Sequence, residues 1–246
     1  MAARPIFFAA AGVACLIALW QFGFALGGPF VLPAPAQTFE RIIVLGEAGT
    51  IWQPAAVTSA HVIAGFGAGA AAGILLGLAG SALDDLGAAL EAIATIILGV
   101  PPIVWVVLAL LWFGPRGIVP AFTVAIGIAP VVFGAMMAGM RASRPEFDEL
   151  ALAYGAPWRQ RLFEVRLPQV AIAVTPALAS SLGFAWKIAL MAEVLSGGSG
   201  IGGRIADARA DLDTVETMAW VVIALILLVL TDRMLARITK APSDAA

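Results

Sequence analysis

The chain has 246 residues, 61% of them hydrophobic and 12% charged, with a mean hydropathy of +0.99. Soluble domains are roughly 45–50% apolar and about 25% charged, so 14 basic and 16 acidic side chains cannot furnish the polar shell that a soluble core of this length needs. Composition therefore excludes most soluble folds, and a net charge of −2 gives no footing for a nucleic acid or another polyanionic partner.

Lipid must be the solvent over much of the surface. About 20 apolar residues at 1.5 Å rise cross a hydrocarbon core of about 30 Å, and backbone groups left unpaired there cost several kcal/mol each, so helices are the expected spanning element. The expected fold class is an all-α membrane protein with six transmembrane helices, at 6–26, 55–80, 88–113, 118–140, 168–195 and 215–235. Cys15 and His61 are the only residues of their types, so neither a disulfide nor a Cys/His metal cluster can form, and both are expected to pack as ordinary membrane residues. No metal and no cofactor is expected.

Arg4 followed by an apolar run resembles a signal peptide, but no clear small-residue cleavage site follows and more apolar spans come after; an uncleaved first helix is expected. The segment 31–50, with Pro33 and Pro35, is too polar and short to span and is read as a short interfacial helix. In the second span Gly65, Gly69, Gly73 and Gly77 form one stripe on which another helix can pack at close backbone distance, either within the subunit or in a dimer or sliding contact. Pro101 and Pro102 fall in the middle of the third span and free carbonyls near Ile97 and Leu98, which reads either as a structural kink or as a break lining a path, with Trp105 beside it.

Between the fourth and fifth spans lies 141–167, the longest strongly charged stretch. Ser143 and Glu146 have capping-box spacing with Pro145 in the first turn, and Phe147, Leu150, Ala151 and Tyr154 recur at i, i+3, i+4 and i+7. Gly155 suits a left-handed helix terminus, Pro157 the first turn of a second helix, and Trp158, Leu162 and Val165 share its face. The reading is a helix, a glycine corner and a second short helix. Its apolar face either packs on its own bundle or docks elsewhere.

Trp186, Lys187 and Glu193 fall in the fifth span. Charges in a span point to function by default, and Lys187 would attract an anion. Against this, lysine snorkels or pairs structurally, and Glu193 is expected near the outer end where water reaches. Gly198, Gly200 and Gly203 match G-x-G-x-x-G, but no strand precedes them, so a dinucleotide site is rejected and they are read as shaping an outer loop. Asp211, Asp213 and Glu216 are too tightly spaced for a calcium loop and read as a solvated acidic edge. No G-x-x-x-x-G-K-[ST] occurs, so there is no P-loop for ATP.

Charge sorting by the positive-inside rule places Arg4, Arg141, Arg144, Arg159, Arg161, Arg166, Arg233, Arg237 and Lys240 in the cytoplasm, against Arg41, Arg116, Arg204 and Arg209 outside. Both termini are then cytoplasmic.

Glu149-Leu150-Ala151, Gly155, Val165 and Leu167-Pro168 resemble, in their spacing, the EAA loop of binding-protein-dependent ABC permeases, with Leu150 where alanine is usual and Val165 where isoleucine is usual. The segments Leu32-Pro33-Ala34-Pro35, Trp105 to Gly114, Ala185-Trp186-Lys187 with Ala192-Glu193, and Gly198 to Gly202 look like the nitrate, taurine and sulfonate branch. The resemblance implies a type I importer permease of a bacterial cytoplasmic (inner) membrane, working as a homodimer without chemistry of its own. It also implies two ABC ATP-binding subunits docked on the coupling residues Phe147, Glu149, Leu150, Ala151, Tyr154, Gly155, Leu167 and Pro168, and an extracytoplasmic substrate-binding protein. Residues 1–54 would be a first helix with an outer segment, and 55–246 the permease core. Candidate pathway residues are Pro101, Pro102, Trp105, Trp186, Lys187 and Glu193. The solute class would be a sulfonate, taurine, nitrate or a vitamin precursor.

An ion-gradient-driven secondary transporter would call for internal repeats and paired intramembrane carboxylates, which the sequence lacks. An integral membrane enzyme such as a lipid phosphatase would need a clustered nucleophile, acid and base, and one histidine with scattered acids does not supply it.

Overall fold

The computed structural model describes residues 3–115 and 117–240, and all regular structure among them is helical. Arg116, sorted to the outer side by charge, lies outside the described residues, as do the side chains of Arg4, Arg237 and Lys240. In chain order the helices are α1 (Ala3–Gly27), α2 (Pro35–Glu47), α3 (Trp52–Ala82), α4 (Asp84–Gly99), α5 (Pro102–Phe113), α6 (Ile118–Ala142) and α7 (Pro145–Ala153). They continue as α8 (Trp158–Gln160), a π-helical segment (Arg161–Arg166), α9 (Leu167–Ser196), α10 (Ile201–Ala210) and α11 (Thr214–Lys240).

Among the described residues, four helices are long and apolar enough to cross a membrane: Trp52–Ala82, Ile118–Ala142, Trp158–Ser196 and Thr214–Arg233. A fifth crossing is possible if α4 and α5 together make one, and Ala11–Gly27 is a shorter apolar helix. Side chains such as Leu75, Leu111 and Ile172 point outward and are largely exposed, as a lipid-facing surface requires.

The third expected span, 88–113, is corrected by this arrangement. It is no continuous helix, because α4 and α5 meet at 95° across Val100 and Pro101. Proline removes the donor that would continue the ladder, and the Ile97 carbonyl so released accepts instead from the Val100 N–H at 3.3 Å and from Trp105 Nε1 at 3.4 Å.

α6 is the central helix. The four-residue glycine stripe of α3 lies flat against it, so that a Cβ at Gly65, Gly69 or Gly73 would come within 2.5 to 2.7 Å of the α6 carbonyls of Ala121, Ala125 or Ala129. The stripe is thus filled within the subunit, which removes it from a dimer contact. Ile128 and Val132 of α6, which border the stripe, share the main apolar core with Val62 and Ala70 of α3 and with Ala185, Ile188 and Ala189 of α9. α5 joins through Val106 and Ala109, packed with Val119 of α6 and Ala192 of α9.

The interfacial helix expected within 31–50 is α2. It packs through Leu45 against Trp220 and Ile223 of α11, and Trp20 of α1 donates its indole N–H to the Pro33 carbonyl at 2.9 Å. The acidic edge is not simply solvated: Asp213 accepts the Glu216 N–H at 2.8 Å at the start of α11, and Glu216 is ion-paired with Arg41 of α2.

Candidate functional site: a helical hairpin, a buried carboxylate and a cavity along one long helix

The stretch 141–167 folds differently from the expected pair of short helices. α7 ends at Tyr154 in a Schellman-type turn, with the Ala156 N–H on the Ala151 carbonyl at 3.0 Å and Gly155 at φ +76°, a conformation that a Cβ disfavours. The second helix is not a separate element. α8 runs through the π-helical segment into α9, making one helix of 39 residues, Trp158–Ser196. Nor does the capping box form. The Ser143 hydroxyl turns back to the Met140 carbonyl at 2.7 Å, satisfying the end of α6, while the Arg144 N–H at the start of α7 is taken by Gln169 Oε1 at 2.8 Å.

What holds the hairpin closed is Asp148, which pattern reading passed over in favour of its neighbour Glu149. Its carboxylate accepts Arg161 Nε at 2.9 Å and a second Arg161 nitrogen, and Arg166 at 2.6 Å. This two-arginine clamp ties α7 to the base of the long helix. The arginine hydrogen bonds hold the Asp148 carboxyl well below the usual carboxylate range. A carboxyl with a depressed folded pKa stabilises above its unfolded pKa of about 4, and that contribution is lost only as pH falls through the lower folded value. Hydrogen exchange of the α7 amides, corrected for intrinsic rate, is therefore expected to be flat from about pH 5 to 8. Asp148→Asn, which keeps the size and loses the charge, is expected to accelerate that exchange throughout this range. Unchanged protection in the variant would count against the clamp.

With Asp148 turned inward, the face predicted to be apolar is left open: Phe147, Leu150 and Tyr154 are 49%, 55% and 84% exposed. Glu149 is exposed beside them, with no partner among the described residues. Pro168 is exposed and Leu167 half-buried at the start of α9, and Ala151 is half-buried.

At the other end of α9, Glu193 is 1% exposed, which corrects the expectation of a water-accessible position. Oε2 accepts the Thr58 hydroxyl at 2.8 Å and the Gly202 N–H at 3.0 Å, and Oε1 lies 2.7 Å from His61 Nδ1. The Thr58 oxygen in turn accepts the Ile201 N–H at 2.9 Å. His61 is thus a partner of this carboxylate, not a bystander. The glycine pattern acquires its reason here. A Cβ at Gly200 would come within 2.5 Å of the Glu193 carboxylate, one at Gly202 would meet the Glu193 Cβ at 2.5 Å, and one at Gly203 would strike the Gly198 carbonyl.

Between these two ends, α9 forms one wall of a cavity of about 310 Å³, bounded also by the α4–α5 break and by α6. Of the candidate pathway residues, Pro102 and Trp105 line it. Pro101 sits in the break, and Lys187 is exposed with its ammonium 6.0 Å from the centroid of the lining residue Phe184. Trp186 points instead into the core, and Glu193 is in the cluster just described. The six candidates are not brought together. Ser180, Ser181 and Thr123, which carry the cavity's hydroxyls, gave no signal in the sequence beyond small polar residues within an apolar span.

Residues 69–238 match the family model of the binding-protein-dependent transport system inner membrane component. The chain belongs to this family. Among relatives of these inner membrane components, a putative aliphatic sulfonates transport permease protein of Bacillus subtilis is 28% identical, over 89% of this chain and 80% of its own length. The taurine transport system permease protein of Escherichia coli is 27% identical, over 83% and 76%. The resemblance read from the sequence therefore holds at the level of family and branch. A crystal structure of an amino acid ABC transporter aligns with TM-score 0.64 at 18% identity, covering 79% of this chain and 95% of that one, and shares the fold.

Proposed function

We propose that this chain is the membrane-spanning permease subunit of an ATP-driven importer in a bacterial cytoplasmic membrane. Two six-span copies form a homodimer with both termini in the cytoplasm, α1 and the broken α4–α5 pair each counting as one span. Residues 1–54 are an appended first helix and outer segment, and 55–246 the core. Two ATP-binding subunits dock on the hairpins, and an extracytoplasmic binding protein delivers a small solute such as a sulfonate, taurine, nitrate or a vitamin precursor. The subunit itself performs no chemistry.

The observation that carries this reading is α7. A helix with an open apolar face and an unpaired glutamate, clamped by Asp148 to a membrane-crossing helix, is suited to enter an apolar groove on a partner. Gly155, without a side chain at the corner, lets a partner's backbone come close, and Glu149 is free to pair with a basic group. The helix Trp158–Ser196, about 58 Å long at 1.5 Å per residue, then carries a displacement of the hairpin past the cavity to the Glu193 cluster. ATP-driven closure of the partner pair shifts the equilibrium between inward- and outward-open arrangements because the hairpin contacts the partner differently in each.

Affinity purification of the subunit from its own cells tests the reading. An ATP-binding protein is expected to co-purify with the wild type, and Glu149→Lys and Gly155→Trp are each expected to reduce its recovery at least about tenfold, the loss of one interface contact worth 1.4 kcal/mol or more. Recovery of no ATPase with the wild type in several detergents would make the hairpin an element of its own bundle and would favour ion-driven transport.

A further inference from the structure

Two opposite charges stand open at the same depth of the bundle. Asp232 is exposed within the span Thr214–Arg233, and Lys187 is exposed on α9. Among the described residues neither makes an ion pair, and the Lys187 ammonium rests only by the Phe184 ring. Their depth follows from the packing of α9 on α6. Gly127 of α6 faces Ile188, and Gly139 faces Val170 and Ala173, so Gly183 stands level with about residue 130, the middle of Ile118–Ala142. Asp232 leans onto that glycine: a Cβ at Gly183 would meet its Oδ1 at 3.0 Å. Lys187 lies one helical turn further along α9.

Charged side chains at such a depth face a water-filled space or one another, because hydrocarbon does not solvate them. Among the described residues only α9 is packed on the inner half of α11, since α2 and α10 meet α11 around 219–224. Lys187 is the only basic residue of α9, and Asp232 the only acidic residue of α11 beyond its first turn. Arg233 follows Asp232 but stands about 100° round the helix from it, where it does not face the carboxylate. Residues at i and i+4 hold their Cβ positions about 5–6 Å apart, so the Asp232 carboxylate lies within about 9 Å of the Lys187 Cβ. The four-carbon lysine stem leans back toward 183 and 184, as helical side chains do, and closes that gap by a change of rotamer alone. The same face of α9 carries Ser180 and Phe184, both exposed and both lining the cavity beside the α4–α5 break.

We propose that Asp232 is the counter-charge of Lys187. The two form an ion pair on the seat left by Gly183, in exchange with the Phe184 contact seen here, and the α9 face from Ser180 to Lys187 is a water-exposed wall, not a lipid-facing surface. Asp232 is thereby a positioning residue, which keeps the ammonium in place at mid-membrane. The inference goes beyond the permease reading and needs only that α9 and α11 cross the membrane.

Lys187→Met, Asp232→Asn and the double variant are purified in lipid nanodiscs and their thermal midpoints compared. Each single variant strands one charge and is expected to lose at least about 4 °C or to yield little protein, while the double variant is expected to return to within about 2 °C of the wild type. A merely steric role predicts losses that add. Additive losses, a double variant that yields no protein, or single variants that match the wild type would each overturn the pair. Cys15 is the only cysteine, so in Cys15→Ala the further variants Asp232→Cys and Leu230→Cys report on solvent. Leu230 is exposed on the opposite side of α11. The cationic reagent 2-(trimethylammonium)ethyl methanethiosulfonate is expected to modify Asp232→Cys at least about tenfold faster than Leu230→Cys. Equal rates would place Asp232 against lipid and overturn the inference. Neither readout depends on an ATPase, so recovery of no ATPase with the wild type bears on the permease reading alone.

Discussion

Gly73→Leu is expected to leave little or no monodisperse protein in mild detergent. A Cβ at Gly73 would stand 2.6 Å from the Ala129 carbonyl oxygen and 2.8 Å from the Val132 Cβ, both belonging to α6. Neither is the far end of a flexible side chain, so relief requires α3 and α6 to separate. Separation would open the contacts at Gly65, Gly69 and Gly77 as well, since all four lie on the same stripe. Overpacking a core usually costs about 1–3 kcal/mol, and a clash against backbone along a whole helix seam belongs at or above the top of that range. Gly67 is the control. It lies on the exposed side of the same helix with nothing within 4 Å of its would-be Cβ, and Gly67→Ala is expected to be neutral or to stabilise by up to about 1 kcal/mol through helix propensity. The check is the fraction of protein eluting as a single species, with its thermal midpoint. A Gly73→Leu protein that matches wild type in both would mean the seam is looser than the geometry states.

The glycine seam was legible because a four-residue repeat in a helix needs no knowledge of the partner; only the identity of the partner, α6, was hidden. The same holds for α2, whose flanking prolines and mixed composition mark a short helix on local grounds. The proline pair marked a kink or a break near Pro101 and the carbonyls near Ile97 and Leu98 that would be freed, but neither the separation into two helices nor the 95° angle between them, which is set by how α4 and α5 each pack on α6. In the hairpin the apolar spacing of Phe147, Leu150 and Tyr154 was readable, while the capping box was not formed because Arg144, not Ser143, stands at the N-cap of α7 and the Ser143 hydroxyl is turned to the end of α6. Asp148 was hidden because its partners, Arg161 and Arg166, lie 13 and 18 residues on, across a glycine corner whose direction no periodicity encodes. Long-range polar pairing, unlike apolar periodicity, leaves no local trace.

Glu193 is the extreme case, with Thr58 and His61 lying 135 and 132 residues away in sequence, and it carries the second large expectation. Glu193→Leu preserves approximate bulk in an apolar setting but strands the Thr58 hydroxyl and the Gly202 N–H, and leaves His61 Nδ1 without its partner. Each buried polar group left unpaired costs about 1–3 kcal/mol, so the variant is expected to lose at least about 3 kcal/mol and to unfasten α10 from α3 and α9. Glu193→Gln separates the hydrogen bonds from the charge. Its carbonyl oxygen can accept from Thr58 and Gly202 while its amide faces His61, so it is expected to retain most of the stability that the leucine variant loses. His61→Ala should fall between the two, because the imidazole is only partly buried and water can reach part of the vacated space. Thermal midpoints of the three variants in one detergent, with proteolysis of the 197–213 region as a local probe, give the order. If the glutamine variant falls as far as the leucine variant, the charge itself and not the hydrogen-bond geometry holds this end of α9 in place; if neither falls, the cluster is a passive contact.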